Sequence, residues 1–328
     1  MDSFLFAVNA VSPIIVTVAI GYLLKKGGLI NGSLAKAMNK LVFRVFLPVM
    51  LFLNVYNIQD IGDMDLGYIA YSAIALLIIF GISVPAVILL EKNNGRRGVL
   101  LQASFRSNYA LIGIPLAESL FGSAGAMIAT VLSAAAIPLF NVLAVISLTV
   151  FRRNGEKPSF KKILLDIVKN PLIQGIALGV GVLIIRTAFM KAGITFRLAD
   201  ITPLFTVLRY LSNLATPLAL LVLGAQFEFS AVASLKREIL FGTLMRTVFV
   251  PILGIGTAWL FFSNAFYGAH FAAFVAMFAT PVAVSSVPMA QEMDGDTELA
   301  GQLVVWTTLV SAFSVFLISY LLKLGGIF

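Results

Sequence analysis

The chain has 328 residues, of which 60% are hydrophobic and 12% are charged, and its mean hydropathy is +1.00. Soluble domains carry about 45–50% apolar and about 25% charged residues, so this composition excludes a water-soluble globule and indicates a polytopic membrane protein. The absence of cysteine and the single histidine, His270, exclude disulfides and thiolate catalysis and argue against a zinc site or a Ser–His–Asp triad. The net charge of +8 fits basic cytoplasmic loops, so we do not expect nucleic-acid binding.

Apolar runs interrupted by charged and turn residues predict ten membrane spans, since each span needs roughly 20 mostly apolar residues. The predicted spans cover residues 4–24, 35–56, 66–90, 98–121, 124–151, 170–189, 201–225, 239–262, 267–292 and 298–323. The first span lacks a basic leader and a small-residue cleavage site, so we interpret it as a helix and not as a signal peptide.

The charges of the connections predict the orientation. The odd-numbered loops hold 14 Lys and Arg residues, whereas the opposite side holds 3. Because cytoplasmic loops carry an excess of Lys and Arg, we expect the odd loops in the cytoplasm and both termini outside, in the inner or plasma membrane of the cell. The longest connection, residues 152–169, is a basic linker between two halves, 1–151 and 170–328.

The two halves resemble each other in sequence. Span 4 contains GIPLAESLFG and span 9 contains SVPMAQEMDG, which match at Pro115/Pro288 and at Gly122/Gly295. Each half holds five spans, an odd number, so the second half must be inverted relative to the first. Inverted repeats are typical of secondary transporters, whose substrate site lies near the bilayer midplane. The predicted fold is therefore an all-α integral membrane protein of two inverted five-helix repeats.

Spans 4 and 9 are predicted to be broken. Asn108, Gly113 and Pro115 lie inside span 4, and Pro281 and Pro288 lie inside span 9. A proline inside a helix removes a backbone hydrogen bond, and irregular backbone at membrane depth persists only where it is buried in protein or lines a cavity. The alternative is that each proline only kinks an ordinary helix, and the recurrence in both halves favours the break.

The segment that runs from Arg106 through Asn108 and Gly113 to Pro115 resembles the N-x-x-x-x-G-[IL]-P-L signature of the auxin efflux carrier family. The Thr280-Pro281-Val-Ala segment of span 9 resembles a second stretch of that family, with threonine in place of the usual methionine. Without a long loop after span 5, the chain is closer to the compact bacterial organic-acid permeases than to long plant carriers. The resemblance implies a scaffold subdomain, a transport subdomain in which spans 4 and 9 cross, elevator-like movement of an anion, and a homodimer. The crossing is also distantly similar to that of sodium/bile-acid symporters.

The candidate substrate-binding residues cluster at the two breaks. Asn108 is the first candidate, because its amide donates to a carboxylate without adding a buried charge, and a helix N-terminus at the break would add free N–H donors. The alternative is that Asn108 only satisfies orphaned carbonyl groups beside the break. The other candidates are Arg106, which would contribute positive potential, and Gly113, Pro115, Pro281, Ser285 and Ser286.

Few groups inside the spans could couple transport to an ion. Glu118 is the one carboxylate well inside a span, and a structural charge near the outer surface is the simpler interpretation of it. Ser107 and Gln291 complete the candidates for ion coupling, and a Na⁺ site of neutral oxygens is compatible with the composition. We expect the side chains of Arg186 and Arg246 to extend to the membrane interface.

These observations predict a secondary active or facilitative transporter of organic anions, such as malate, malonate or auxin-like acids. A sodium- or proton-coupled symporter of carboxylates and a ligand sensor with a transporter fold stay open as alternatives. The sequence offers no clustered nucleophile and base, metal ligands or ATP-binding motif, so we do not expect an enzyme or a cofactor beyond Na⁺. The expected partners are the organic anion, the lipid bilayer and a second copy of the chain.

Overall fold

The computed structural model of the chain describes residues 2–58, 66–152 and 159–328, without the side chains of residues 2–11, 66 and 160. These residues are almost entirely helical. The α-helices, in chain order, are α1 (Asp2–Lys26), α2 (Gly32–Leu41), α3 (Leu47–Tyr56), α4 (Leu66–Leu90), α5 (Asn94–Phe105), α6 (Ile114–Val150), α7 (Phe160–Lys169), α8 (Pro171–Lys191), α9 (Thr202–Gln226), α10 (Ala231–Ser234), α11 (Lys236–Leu244), α12 (Thr257–Phe262), α13 (Gly268–Phe278), α14 (Ser286–Glu292) and α15 (Thr297–Leu324). The π-helical segments are Val42–Phe46 between α2 and α3, Tyr109–Gly113 before α6, and Met245–Phe249 and Ile252–Gly256 between α11 and α12.

Within the described residues, seven helical runs are long and apolar enough to cross a membrane. They are Gly32–Tyr56, Gly67–Leu90, Tyr109–Val150, Pro171–Lys191, Thr202–Gln226, Lys236–Phe262 and Thr297–Leu324. These runs do not reproduce ten separate spans one for one. Predicted span 1 coincides with α1, span 9 is divided between α13 and α14, and spans 4 and 5 share one run that leaves helical geometry at Phe121 and Gly122.

Large apolar side chains are exposed on the outside of these helices. Leu89 is 86% exposed, Leu260 is 76% exposed and Phe261 is 75% exposed. Apolar patches of this extent on a soluble protein would mark aggregation or a binding surface, whereas hydrocarbon is a matching environment for them. The helix α13 is the opposite case, because every residue from Gly268 to Phe278 is buried.

The helices pack in two groups. In the first helix group, α1 and α2 pack on α9, and α3 packs on both α8 and α9. In the second helix group, α4, α5, α6 and the helices α11 to α15 pack chiefly on one another, with α13 against α6. The α1–α9 pair is close enough that a Cβ added at Gly21 would strike the Leu221 carbonyl, and one at Gly224 would strike the Val18 carbonyl. Small residues permit such backbone contact between apolar helices.

The predicted linker is partly helical. Its residues 160–169 form α7, which packs on α6 and α8, and the Arg152 guanidinium pairs with the Asp166 carboxylate at 3.1 Å. Residues 153–158 of that linker lie outside the described part of the chain.

Candidate functional site

The two predicted breaks lie directly against each other. The helix α5 ends at Phe105 and helical backbone resumes at Tyr109, while α13 ends at Phe278 and α14 begins at Ser286. Ser107 and Val282 form an antiparallel bridge between the two interruptions. The backbone N–H of Asn108 donates to the carbonyl of Pro281 at 2.8 Å, and that of Ala283 donates to Arg106 at 3.3 Å. Each break thus satisfies part of the backbone that the other leaves without a helical partner.

The prolines stand beside the breaks in positions that helices tolerate. Pro281 lies within the second break, whereas Pro115 is in the first turn of α6 and Pro288 is the third residue of α14. The first turn of a helix has no acceptor for its N–H groups, so the missing N–H of Pro288 costs little. Pro115 instead lies just after the π-helical turn Tyr109–Gly113, where the hydrogen-bond ladder of the run is already irregular. Hydroxyl groups add a further contact, because Ser107 Oγ lies 2.5 Å from Thr280 Oγ1 and Thr280 Oγ1 donates to the Ala276 carbonyl at 2.8 Å.

Arg246 is buried at this crossing, so the expectation that its side chain extends to the membrane interface is wrong. The residue is 0% exposed and belongs to the π-helical segment Met245–Phe249. Its guanidinium donates to the carbonyl oxygens of Thr280 at 2.7 Å, Met277 at 2.9 Å and Phe105 at 3.1 Å. The physical reason for its burial is that helix C-termini leave carbonyl groups unpaired, and a guanidinium supplies several donors at once.

A cavity of about 810 Å³ lies between the two helix groups and against the crossing. The first helix group lines it with residues of α1, α3 and α9, among them Thr17, Asn54 and Thr216. The second helix group lines it with residues 106–111 and 283–285 and with Pro115, Ile137, Phe140 and Asn141. Arg106 is the one charged side chain among the lining residues, so the cavity has a positive and otherwise neutral wall.

Arg106 is held by neutral partners. Its side chain is 2% exposed, and its guanidinium donates to Asn141 Oδ1 at 2.8 Å, to Met289 Sδ at 3.0 Å and to Gln102 Oε1 at 3.4 Å. Among the described residues, no carboxylate lies within ion-pair distance of Arg106 or of Arg246. A buried cation without a counter-ion leaves a net positive potential beside the cavity.

Asn108 presents an unused donor next to this guanidinium. The residue is 7% exposed, its Nδ2 is buried without a hydrogen-bond partner, and its side chain does not cap the helix that follows. The alternative was that this amide donates to orphaned carbonyl groups beside the break. Asn108 Nδ2 makes no such hydrogen bond. Ile112 and Gly113 donate to the Asn108 carbonyl, so the N–H groups of the three residues between lack intrahelical acceptors. Residues 108–111, which carry these two kinds of neutral donor, all line the cavity.

The other predicted site residues divide into those that line the cavity and those that do not. Besides Arg106 and Asn108, the lining residues from the prediction are Ser107, Pro115 and Ser285. The predicted residues Gly113, Pro281 and Ser286 lie at the crossing without lining the cavity, and the buried Ser286 Oγ has no hydrogen-bond partner. A Cβ at Gly113 would lie 2.9 Å from the Ala276 carbonyl oxygen, so this position requires a residue without a side chain.

Two candidates for ion coupling stand apart from the cavity. Glu118 is exposed and is not among the lining residues. Gln291 is half-buried in α14, and its Oε1 accepts a hydrogen bond of 2.9 Å from Gln226 Nε2 of the first helix group. The structure therefore gathers Arg106, Ser107, Asn108 and Ser285, and it separates Glu118 and Gln291 from them.

Sequence reasoning missed several lining residues outside the breaks. Asn54 of α3 has a buried Nδ2 without a partner, and Asn141 of α6 positions the Arg106 guanidinium. Asn213 and Thr216 come from α9. Each is a polar residue inside a predicted apolar span, and polar residues in such spans are candidates for a functional site.

Residues 6–319 match the family described as Membrane transport protein. The chain is also similar to an uncharacterized transporter of Methanothermobacter thermautotrophicus, at 24% identity over 316 residues that cover 95% of this chain and 97% of that protein. The match includes both breaks and every residue that lines the cavity. The resemblance to auxin efflux carriers is thereby confirmed, and with it the expectation that the protein is a transporter and not an enzyme. The chain belongs to the membrane transport protein family of auxin efflux carrier-like proteins and is a multi-pass membrane protein.

Proposed function

We propose that this protein is a secondary or facilitative transporter of organic anions, with small carboxylates such as malate or malonate and auxin-like acids as the first candidates. The observation that carries the proposal is the cavity wall. It contains one buried guanidinium, Arg106, without a carboxylate partner among the described residues, and the unused amide donor of Asn108 beside it. Such a wall favours an anion over a cation.

Dipoles and apolar surface support the same substrate class. Helical backbone begins at Tyr109 on the cavity side of the first break, and a helix N-terminus carries a partial positive charge. Ile14, Leu47, Leu51 and Phe140 also line the cavity and offer apolar contacts to the carbon skeleton of an organic acid. A carboxylate bound by Arg106 and Asn108, with its skeleton on the apolar wall, satisfies both features.

We further propose that transport is elevator-like. The cavity lies between the two helix groups, so a sliding movement of the second group against the first would carry the crossing from one side of the membrane to the other. In this proposal the first helix group is the scaffold. The ten spans form two inverted repeats, 1–151 and 170–328, the odd loops face the cytoplasm of the plasma membrane, and the scaffold pairs with a second copy.

Currents on a solid-supported membrane test the substrate class directly. Purified protein is reconstituted and exposed to a panel of organic acids without Na⁺ and at symmetric pH. We expect a saturable movement of negative charge for at least one carboxylate and none for organic cations. Subsequent Na⁺ and pH steps separate an uncoupled carrier from a sodium- or proton-coupled symporter.

The sensor alternative makes a different prediction in the same preparation. A sensor binds its acid, which isothermal titration detects, but transfers no charge and no radiolabelled acid across the vesicle. Binding without flux under every ion condition would contradict the transport proposal.

A further inference from the structure

Arg246 lies where the C-terminal ends of two helices meet. Its guanidinium donates to the carbonyl of Phe105, the last residue of α5, and to those of Met277 and Thr280 on either side of the end of α13. These three acceptors come from both broken helices, while Arg246 itself comes from the run that contains α11. The side chain therefore joins three separate parts of the second helix group at the crossing.

The charge of Arg246 balances the field of the two helix ends. Each helix C-terminus carries about half a negative elementary charge, so two such ends together place about one negative charge at the crossing. No carboxylate among the described residues pairs with Arg246, so the helix ends and their carbonyl oxygens are what offset its charge. Burying a cation without a counter-ion costs free energy, and the carbonyl oxygens at the two helix C-termini offset that cost for Arg246.

Carbonyl oxygens and helix C-termini at a break are also the groups with which sodium-coupled carriers bind their ion. Here the three carbonyl oxygens already accept from the guanidinium. The hydroxyl groups of Ser107 and Thr280 bond to each other and to the Ala276 carbonyl. These carbonyl and hydroxyl oxygens are thus engaged within the protein, whereas Ser286 Oγ, also at the crossing, has no hydrogen-bond partner.

We propose that Arg246 is a positioning residue that acts as a fixed, covalently attached cation at the crossing and takes the place of a coupling cation. The consequence of this proposal is that substrate flux does not require Na⁺, and this consequence rests on the proposed transport function. A carrier with a fixed cation keeps its two broken helices together in every conformation, whether or not an ion is present. The charge transferred in each cycle is then that of the anion alone.

Thermal unfolding of purified protein in detergent tests the fixed cation without relying on transport. We expect R246A to lower the melting temperature by at least about 5 °C, because it leaves three buried carbonyl groups and two helix ends without a partner. Millimolar guanidinium chloride should restore part of the loss, whereas urea, which has the same planar shape without the charge, should not. Equal rescue by urea, or no rescue by guanidinium, would overturn the proposal.

Arg186 provides a matched control. Its guanidinium also donates to backbone carbonyl groups, those of Tyr56, the last residue of α3, and of Ile58, but it lies away from the crossing and is only half-buried. R186A should lower the melting temperature less than R246A and should not respond to guanidinium. A similar response of the two variants would identify a general effect of guanidinium and overturn the assignment.

Two further variants keep the proposal testable if R246A does not fold. R246K keeps a positive charge, and R246M keeps the volume without it. We expect R246K to retain flux in Na⁺-free medium and R246M to lose most of it, so equal flux of the two would overturn the role of charge. In wild-type protein, strict dependence of flux on Na⁺ would also overturn the proposal. If no organic acid is transported, the proposed function fails, while the unfolding measurements still decide whether Arg246 acts as a cation at the crossing.

Discussion

Asn108 combines a donor without a partner and a place on the cavity wall, and these two properties predict the effect of its removal. N108A should lower flux by at least about fivefold, mainly as a higher KM, because a hydrogen bond to a charged group contributes about 1.5–3 kcal/mol. Concentration-dependent uptake into proteoliposomes measures the change. N39A is the matched control, since Asn39 is also buried with an amide that lacks partners but lies outside the cavity lining. Wild-type KM in a well-folded N108A would contradict the assignment.

For Glu118, in contrast to Asn108, we expect that a substitution leaves transport unchanged. Its side chain is exposed and lies outside the cavity lining, so it has no contact through which to pass a proton to a bound acid. E118Q should transport at the wild-type rate and with the same dependence on pH, as recorded in uptake across a series of imposed pH gradients. A changed ratio of protons to substrate would instead place Glu118 in a relay.

Asn108, Arg106 and Ser107 are candidates from the sequence because they lie in the stretch that resembles the family signature, and the structure places all three in the cavity lining. The sequence could not predict the environment of Arg246. The acceptors of this guanidinium are 141, 34 and 31 residues away along the chain. The position of an arginine within a span gives its distance from the span's end, but not whether its side chain points to the interface or to another helix.

At the scale of elements, the breaks were predictable but their limits were not. The first break covers residues 106–108, whereas Pro115 lies inside the helical run that resumes at Tyr109, just after its π-helical first turn. The proline therefore marks the half-helix that follows the break and not the irregular backbone itself. The same applies to Pro288, which is already within α14.

A network of charges joins four helix ends of the second helix group. The Arg96 guanidinium, near the start of α5, contacts Glu238 at 3.0 Å, Asp296 at 3.2 Å and Glu91 at 3.8 Å. These carboxylates belong to the start of α11, the N-cap of α15 and the residue after α4. Partial burial alone would raise the pKa of Glu91. Hydrogen bonds from the backbone of Asn93 and Lys92 and the charge of Arg96 outweigh that effect, so the pKa of Glu91 is lowered.

This lowered pKa predicts how stability depends on pH. A carboxylate whose pKa falls on folding stabilises the protein above its ordinary value and loses that contribution as the pH falls through the lowered value. E91Q should thus have a lower melting temperature than wild type at neutral pH, and the difference should shrink below about pH 4. Thermal unfolding in detergent at several pH values measures it. E298Q, which removes an exposed carboxylate, should show no such trend, and a constant difference for E91Q would contradict the network's role.

At the scale of the whole molecule, the two helix groups are joined at one end by polar contacts. Gln226 of α9 donates to Gln291 of α14 at 2.9 Å, and Arg44, between α2 and α3, lies 3.5 Å from Glu292. Composition and charge could predict the helices but not which of them form each group, since the partition depends on contacts distant in sequence, such as those of α1 with α9. An elevator movement must break these polar contacts in every cycle.

Cross-linking the two groups at this point should therefore stop transport. The chain has no cysteine, so Q226C/Q291C carries the only two thiols and a short bifunctional maleimide can join them. We expect the cross-linked protein to lose nearly all flux while retaining its ability to bind substrate, because the cavity lining does not include either residue. Uptake and equilibrium binding, measured on the same cross-linked sample, separate the two effects.

A cross-link between two residues of the same helix group is the control for any loss of flux caused by the cross-linking itself. Tyr71 of α4 and Thr257 of α12 are joined by a hydrogen bond of 2.7 Å, and both belong to the second helix group. Cross-linked Y71C/T257C should keep the flux of its unlinked form, since these residues need not separate when one group slides past the other. If cross-linked Q226C/Q291C transports at the same rate as this control, the two groups do not move apart at the Gln226–Gln291 contact, and the carrier must expose its cavity by a smaller rearrangement around the crossing.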